Sequence, residues 1–409
     1  MKVTNCCLCE SAELETIVEV GVSGLSNNLE DSNENSLNSQ KYPLDLFICC
    51  ECNHVQLGEE VDPKIMFSNY TYETGISQYF RKHFKEYAAE VNERKEVENP
   101  VIVDIGSNDC ILLDFLKEHN MITVGIEPAK NLVEKYKNNH DLYNSFLTES
   151  VVDEIVKKYG QVDFVTANNV FAHNRNLKSF AKNVKSLLKD GGLFYVEVQY
   201  LSDLVKNGYF DMIYHEHTSY HHIKPLRRMM ESLEMNLVDA KQVSTHGGSI
   251  RFVFQKNGTK GFINDLIAND NSFDVKIRQS LKSLNTSIKK FKIDFEKTIS
   301  DLNKYDCIYG YAAPAKVVTL LSVLDKKTTD AIDFIIDDSK LKQNKFLPGY
   351  GIEIVGTEEA EKRLTDKRSV CIIFAWNVAE DIKKKIISSN LNPNLIIIPL
   401  PTLEIINEF

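Results

Sequence analysis

The chain has 409 residues, more than one ordinary core holds, so two or three domains are expected. Hydrophobic residues at 43% and charged residues at 26% are those of a globular protein, and no apolar run reaches the roughly 18 residues of a membrane span. A net charge of -10 argues against nucleic acid and membrane as partners, and nine cysteines without an apolar leader point to metal or free thiols in a reducing cytoplasm.

The first segment carries two cysteine pairs. Cys6, Cys9, Cys49 and Cys52 keep equal two-residue gaps, the spacing with which paired turns close a tetrahedral thiolate site for structural zinc. Cys7 and Cys50 are extra thiols outside that register. The intervening stretch from Gly24 to Gln40 is polar and reads as a long loop. Four thiolates leave no open coordination position, so the metal receives no catalytic role.

The middle segment alternates strand and helix. Pro100 to Ile105 is a β-branched run, followed by the turn Gly106-Ser107-Asn108-Asp109 and an amphipathic stretch from Ile111 to Glu118. Glycine at that turn is read as clearing room for close approach of a ligand to the backbone. The next strand, Ile122 to Ile126, ends in Glu127, where a carboxylate can accept from both ribose hydroxyls of a nucleoside. Strands follow at Val162–Ala167, leading to Asn168 and Asn169, and at Gly192–Val198, after a helix from Leu177 to Leu188. A single glycine in place of a multi-glycine pyrophosphate cradle favours S-adenosylmethionine over a dinucleotide, with Asp104, Gly106, Asn108, Asp109, Glu127, Pro128, Asn168 and Asn169 as the cofactor-binding set.

Four of the ten histidines then fall within Tyr214-His215-Glu216-His217 and the following His221-His222. A carboxylate beside a histidine can orient a general base or contribute to a metal site. His217, and His173 at a strand's C-terminal end, are read as functional; His215, His221 and His222 are read as core or surface rings. After Gly258 a long amphipathic stretch, Phe273 to Leu302, precedes strands at Cys307–Tyr311, Phe334–Ile336, Val370–Ala375 and Leu395–Leu400. The small-residue turn from Gly310 to Lys316, ahead of a helix from Val317 to Leu324, suits either an anionic diphosphate or a plain tight turn with a solvated lysine.

These cysteines, with Asn69-Tyr70-Thr71-Tyr72, Asp104 to Asp109, Gly125-Ile126-Glu127-Pro128, Tyr214-His215-Glu216-His217, His246-Gly247-Gly248-Ser249-Ile250-Arg251, Tyr309 to Lys316, Ile336-Asp337-Asp338 and Ala375-Trp376-Asn377, resemble the S-adenosylmethionine-dependent sugar C-methyltransferases over nearly the whole chain. The resemblance implies an α/β protein in three parts: a four-cysteine zinc module (1–75), a Rossmann-like class I methyltransferase domain (76–256) and a second Rossmann-like domain (257–409) binding nucleotide sugar. It implies methylation at C3 of a nucleotide-linked (dTDP, GDP or CDP) 4-keto-6-deoxyhexose, with His217 as the base, Glu216 and Tyr214 orienting substrate or enolate, His173 and Tyr72 completing the cleft, and His246, Arg251 and Lys316 contacting substrate. Cys110 and Val317 stand where the family has glycine; the expected effects are a crowded cofactor turn and an altered nucleotide-sugar pocket. The competing readings are O- or N-methylation of another small molecule and a non-catalytic zinc-containing binding protein. A monomer is the working expectation, with association left open.

Overall fold

A computed structural model describes residues 1–67, 75, 78–259 and 264–407; Tyr72 and its neighbours in the Asn69–Tyr72 motif lie outside the described residues, as does the side chain of His246.

Strands Leu14–Val18, Leu46–Cys49 and Val55–Leu57 of the first segment form an antiparallel sheet whose fourth strand, Ser219–Tyr220, comes from the middle of the chain. The stretch expected as one long loop folds in part. Ser32 Oγ accepts from the Asn35 amide and caps a short helix, Asn33–Leu37. Ser36 on that helix donates from its hydroxyl to the Leu347 carbonyl, which seats the helix on the C-terminal domain.

Seven strands make the central sheet: Val101–Ile105, Ile122–Ile126, Asp141–Tyr143, Val162–Asn168, Leu188–Gln199, Met235–Val243 and Ser249–Lys256. Numbered one to seven in chain order, they lie in the order 6-7-5-4-1-2-3. The first five run parallel, and the seventh inserts antiparallel beside the fifth. The order reverses direction between strands one and four, and ligands of open α/β sheets bind outside the carboxyl ends at such a switch point. Gly106 follows strand one and Asn169 follows strand four. The β-branched runs are buried on both faces because helices such as Ile111–Glu118 and Leu177–Leu187 cover them.

Helix Asp265–Ser300 spans 36 residues, about 54 Å at 1.5 Å per residue. Ile277, Leu281, Leu284, Ile288, Phe291 and Phe295 bury one stripe at helical spacing. It begins a full two turns before the expected Phe273. Asp270 sits buried in those turns and Asp274 just past them: Asp270 accepts from Tyr200 and from the Ile223 and Lys224 amides, and Asp274 from Lys224, Asn53 and His222. A second sheet of seven strands follows, its centre parallel around Cys307–Tyr311, Phe334–Ile336 and Ser369–Ile373, and its two edge strands antiparallel. One continuous apolar cluster joins residues of the first segment, the long helix and this sheet. No helix among the described residues is long and apolar enough to cross a membrane.

Candidate active site

The carboxyl ends of strands one, two and four open into a cavity of about 700 Å³, a size that holds a drug-sized ligand. Every one of the eight residues read as cofactor-binding lines it. Gly106 stands at φ +70°, and a Cβ there would lie 2.3 Å from Val170 Cγ2. The turn therefore needs glycine for its left-handed backbone and for its contact with Val170, a neighbour the sequence reading did not anticipate. Glu127 accepts from the amides of Asn108 and Ala129 at 2.8 Å each, which fixes both oxygens of the carboxylate and leaves further lone pairs toward the cavity. Burial raises its pKa. Asp104 accepts from the Thr166 hydroxyl at 2.6 Å, and burial pushes its pKa up to about 7. Acidic and amide groups at these strand ends suit a nucleoside with a cationic amino-acid tail, so the residues present fit S-adenosylmethionine.

The same cavity is lined by His173, Tyr214, Glu216 and His217. His217 Nδ1 lies 3.0 Å from the Met212 carbonyl, and its Nε2 lies 2.8 Å from the Tyr214 hydroxyl. A carbonyl oxygen only accepts, so Nδ1 carries the proton in the neutral ring and the Nε2 lone pair accepts from Tyr214. The ring of His173, on the turn after strand four, stacks on His217 with centroids 5.3 Å apart. A neutral imidazole held in one tautomer beside a phenol can take up a proton directly or through the hydroxyl.

From the C-terminal domain, Lys316, Lys342, Asp337 and Asn377 complete one wall. Lys316 Nζ donates to Asn377 Oδ1 at 2.7 Å, lies over the Trp376 ring at 3.7 Å and stands 4.0 Å from Asp211. Burial lowers its pKa to about 8, partly opposed by the Asp211 charge. Lys342 donates to the Ala313 carbonyl at 2.8 Å. Sequence reasoning missed Lys342, together with Arg175 and, from the first segment, Lys64 and Asn27, because no motif marks them.

Three further residues fall elsewhere than the sequence reading put them. Arg251 lies away from the cavity lining: it donates to Glu197 and Glu90 at 2.7 Å each, with its guanidinium over the Tyr87 ring. Its guanidinium is paired with one carboxylate on the neighbouring strand and one on the helix Gln78–Glu93. The Cys110 thiol is buried in an apolar cluster with Phe80, Phe84 and Leu112, and its backbone sits at φ +61°, where glycine is at ease. Val317 is buried in the helix Val317–Ser322 and is likewise not part of the lining. His215 donates to the Tyr42 carbonyl, His222 faces Asp274 and His221 is buried between His54 and Phe171.

The sulfurs of Cys6, Cys9, Cys49 and Cys52 all lie within 4.8 Å of one another, with Cys6 and Cys52 3.6 Å apart and Cys9 and Cys49 3.5 Å apart. Thiolates at about 2.3 Å from a tetrahedral zinc are roughly 3.8 Å apart, so the donor set fits that ion. Cys7 turns instead toward Ser219, and Cys50 toward Arg278.

Three family profiles match in succession: a zinc binding domain over residues 6–67, a methyltransferase domain over 78–240 and a C-methyltransferase C-terminal domain over 244–401. The chain is 26% identical to the C-methyltransferase NovU of Streptomyces niveus, over 99% of this chain and 97% of that one. Among solved structures, a 1,6-didemethyltoxoflavin-N1-methyltransferase of Burkholderia thailandensis superposes with a TM-score of 0.36 at 11% identity, covering 51% of this chain and 98% of its own. The magnesium protoporphyrin IX methyltransferase of Synechocystis gives 0.33 at 11%, covering 43% and 79%. At that level of superposition the likeness carries no functional information.

Proposed function

We propose that the chain is an S-adenosylmethionine-dependent C-methyltransferase that methylates C3 of a nucleotide-linked 4-keto-6-deoxyhexose through a base-generated enolate, in deoxysugar biosynthesis, a reading supported by the C-methyltransferase C-terminal profile and the full-length similarity to NovU. The observation that carries this reading is the His217–Tyr214 pair, a fixed proton acceptor within the cavity that the cofactor-type strand ends also line. Methylating an oxygen or nitrogen needs no enolising base, whereas methylating a carbon next to a ketone does. A ketone at C4 acidifies the neighbouring C3 proton, and an imidazole lone pair can accept that proton when the enolate is stabilised.

S-adenosylmethionine, when bound, supplies an activated methyl group. The chain's own part is to remove the C3 proton at His217 Nε2, with the Tyr214 hydroxyl as the intervening or hydrogen-bonding group. Glu216 and Tyr214 orient the sugar and the developing oxyanion, and His173 buttresses the base by stacking. Tyr72, outside the described residues, is assigned to the same cleft on resemblance alone. Lys316, with Lys342 and Asn377, is the candidate anchor for the diphosphate of a dTDP-, GDP- or CDP-linked sugar. Cys6, Cys9, Cys49 and Cys52 would hold a closed, structural zinc.

The test is transfer of isotopically labelled methyl to a panel of such nucleotide sugars, with carbon NMR of the product. The reading expects a carbon-bound methyl at C3 and a loss of about 10² to 10⁴ in rate for His217→Asn. A methyl on oxygen or nitrogen, or no transfer to any member of the panel, contradicts it.

A further inference from the structure

The segment 213–220 carries Tyr214 and His217, and within its own domain His217 Nδ1 donates to the Met212 carbonyl and the Thr218 hydroxyl to the Ala172 carbonyl, at 3.0 Å each. His215 Nε2 donates to the Tyr42 carbonyl at 3.2 Å. Asn27 Nδ2 donates to Glu216 Oε1 at 2.5 Å. The Leu57 amide donates to the Thr218 carbonyl at 3.0 Å, and Ser219 and Tyr220 pair in register with Gln56 and Val55. On the remaining side Thr319 of the C-terminal domain donates to the Ile213 carbonyl at 2.8 Å. Residues 215, 216 and 218–220 are thus each held by the cysteine-bearing module, which leaves Tyr214 and His217 facing the cavity.

We propose that this module is the template that orders the catalytic loop, and that Asn27 is a positioning residue which sets the Glu216 carboxylate against the substrate. Asn27 sits in a turn closed by the Asn28 amide donating to the Leu25 carbonyl at 3.1 Å, and Leu25 anchors the turn by burial with Val61 and Met66. Its amide therefore projects from a fixed backbone into the cavity wall. An amide N–H donor fixes the direction of the carboxylate oxygen that accepts from it. The strand that pairs with Ser219–Tyr220 begins directly after the cysteine turn, where the Cys49 amide donates to the His54 carbonyl at 2.9 Å. Order in the cysteine cluster is in this way handed to the loop through one short ladder.

The ordering of the loop stands without any substrate, so hydrogen exchange on the full-length, zinc-loaded protein tests it independently of the function proposed above. In Asn27→Ala, amides of segment 213–220 are expected to exchange about tenfold faster than in the wild type, while strand Val101–Ile105 and the module strands keep their protection. Unchanged exchange in 213–220, or a loss of protection spread equally over the module, overturns the proposal. A kinetic arm rests on the C-methyltransferase reading: Asn27→Ala lowers kcat about tenfold at unchanged KM for S-adenosylmethionine, and in a Glu216→Gln background it has no further effect. Additive losses in the double variant would overturn action through Glu216. A wild type inactive on every sugar tested refutes the substrate assignment and leaves the exchange result to decide the loop's template.

Discussion

Gly106→Ala is the perturbation whose cost the geometry fixes most closely. The residue stands at φ +70°, where an alanine gives up about 1–2 kcal/mol relative to glycine. Its new methyl would lie 2.3 Å from Val170 Cγ2, well inside contact distance, so Val170 or the turn must move, at the 1–3 kcal/mol typical of overpacking. The two terms together predict a loss of about 2–5 kcal/mol, measurable as a lower denaturant midpoint at unchanged slope. Because Gly106, Asn108 and Asp109 form one cavity-lining turn, calorimetry should also show weaker S-adenosylmethionine binding. Adding Val170→Ala removes the clash but not the backbone term, so the double variant should recover part of the loss relative to additive behaviour. A single variant destabilised by less than about 1 kcal/mol, or one not rescued at all by Val170→Ala, would refute this account of the turn.

Burial keeps Asp104 protonated below about pH 7, and a cationic cofactor favours its ionised form. The affinity for S-adenosylmethionine, followed by calorimetry, should therefore strengthen by up to about tenfold per pH unit as pH rises toward 7 and then level off, with Asp104→Asn flattening the curve. Lys316 is a cation below about pH 8 and neutral above it, so the KM for the nucleotide sugar should rise as pH passes 8. Lys316→Met should raise it about tenfold or more at neutral pH and remove that dependence; a flat profile in the wild type speaks against Lys316 as the diphosphate anchor. Cys49→Ser breaks the thiolate set and should lower metal content, by elemental analysis, to well below one zinc per chain, together with the unfolding midpoint, whereas Cys50→Ser, outside the cluster, should leave both unchanged.

Much of the central fold could be read from sequence because its signals are local. The run Val101–Ile105, the glycine turn and the amphipathic helix are contiguous, and each is defined by its own periodicity. The cysteine register was equally local: equal gaps picked out the four sulfurs that cluster. What escaped the reading depends on partners distant in sequence. Strand Asp141–Tyr143 is three residues long and takes its place only by pairing with Ile122–Ile126. The start of the long helix was hidden by Asp270, a polar residue buried because it accepts from the Ile223 and Lys224 amides nearly fifty residues away.

The site shows the same division. The acidic strand ends and the Tyr214–His217 run carry their chemistry in adjacent residues, and they meet in one cavity. Arg251, a substrate contact by resemblance, is paired with Glu197 on the neighbouring strand and Glu90 on a neighbouring helix, partners that no local motif announces. The glycine pair has a packing reason instead: a Cβ at Gly247 would lie 2.7 Å from the Trp376 ring of the C-terminal domain. Asn27 sits in a polar stretch with nothing to distinguish it from its neighbours, and only the fold brings it to Glu216.

The central claim is that His217 takes a proton from carbon. Incubation of a C3-protonated 4-keto sugar nucleotide in heavy water with enzyme and S-adenosylhomocysteine, which cannot donate a methyl, isolates that step. Incorporation of deuterium at C3 by the wild type and its loss in His217→Asn, with cofactor affinity intact, is the predicted result. No exchange in the wild type, or exchange that survives in His217→Asn, would contradict the assignment.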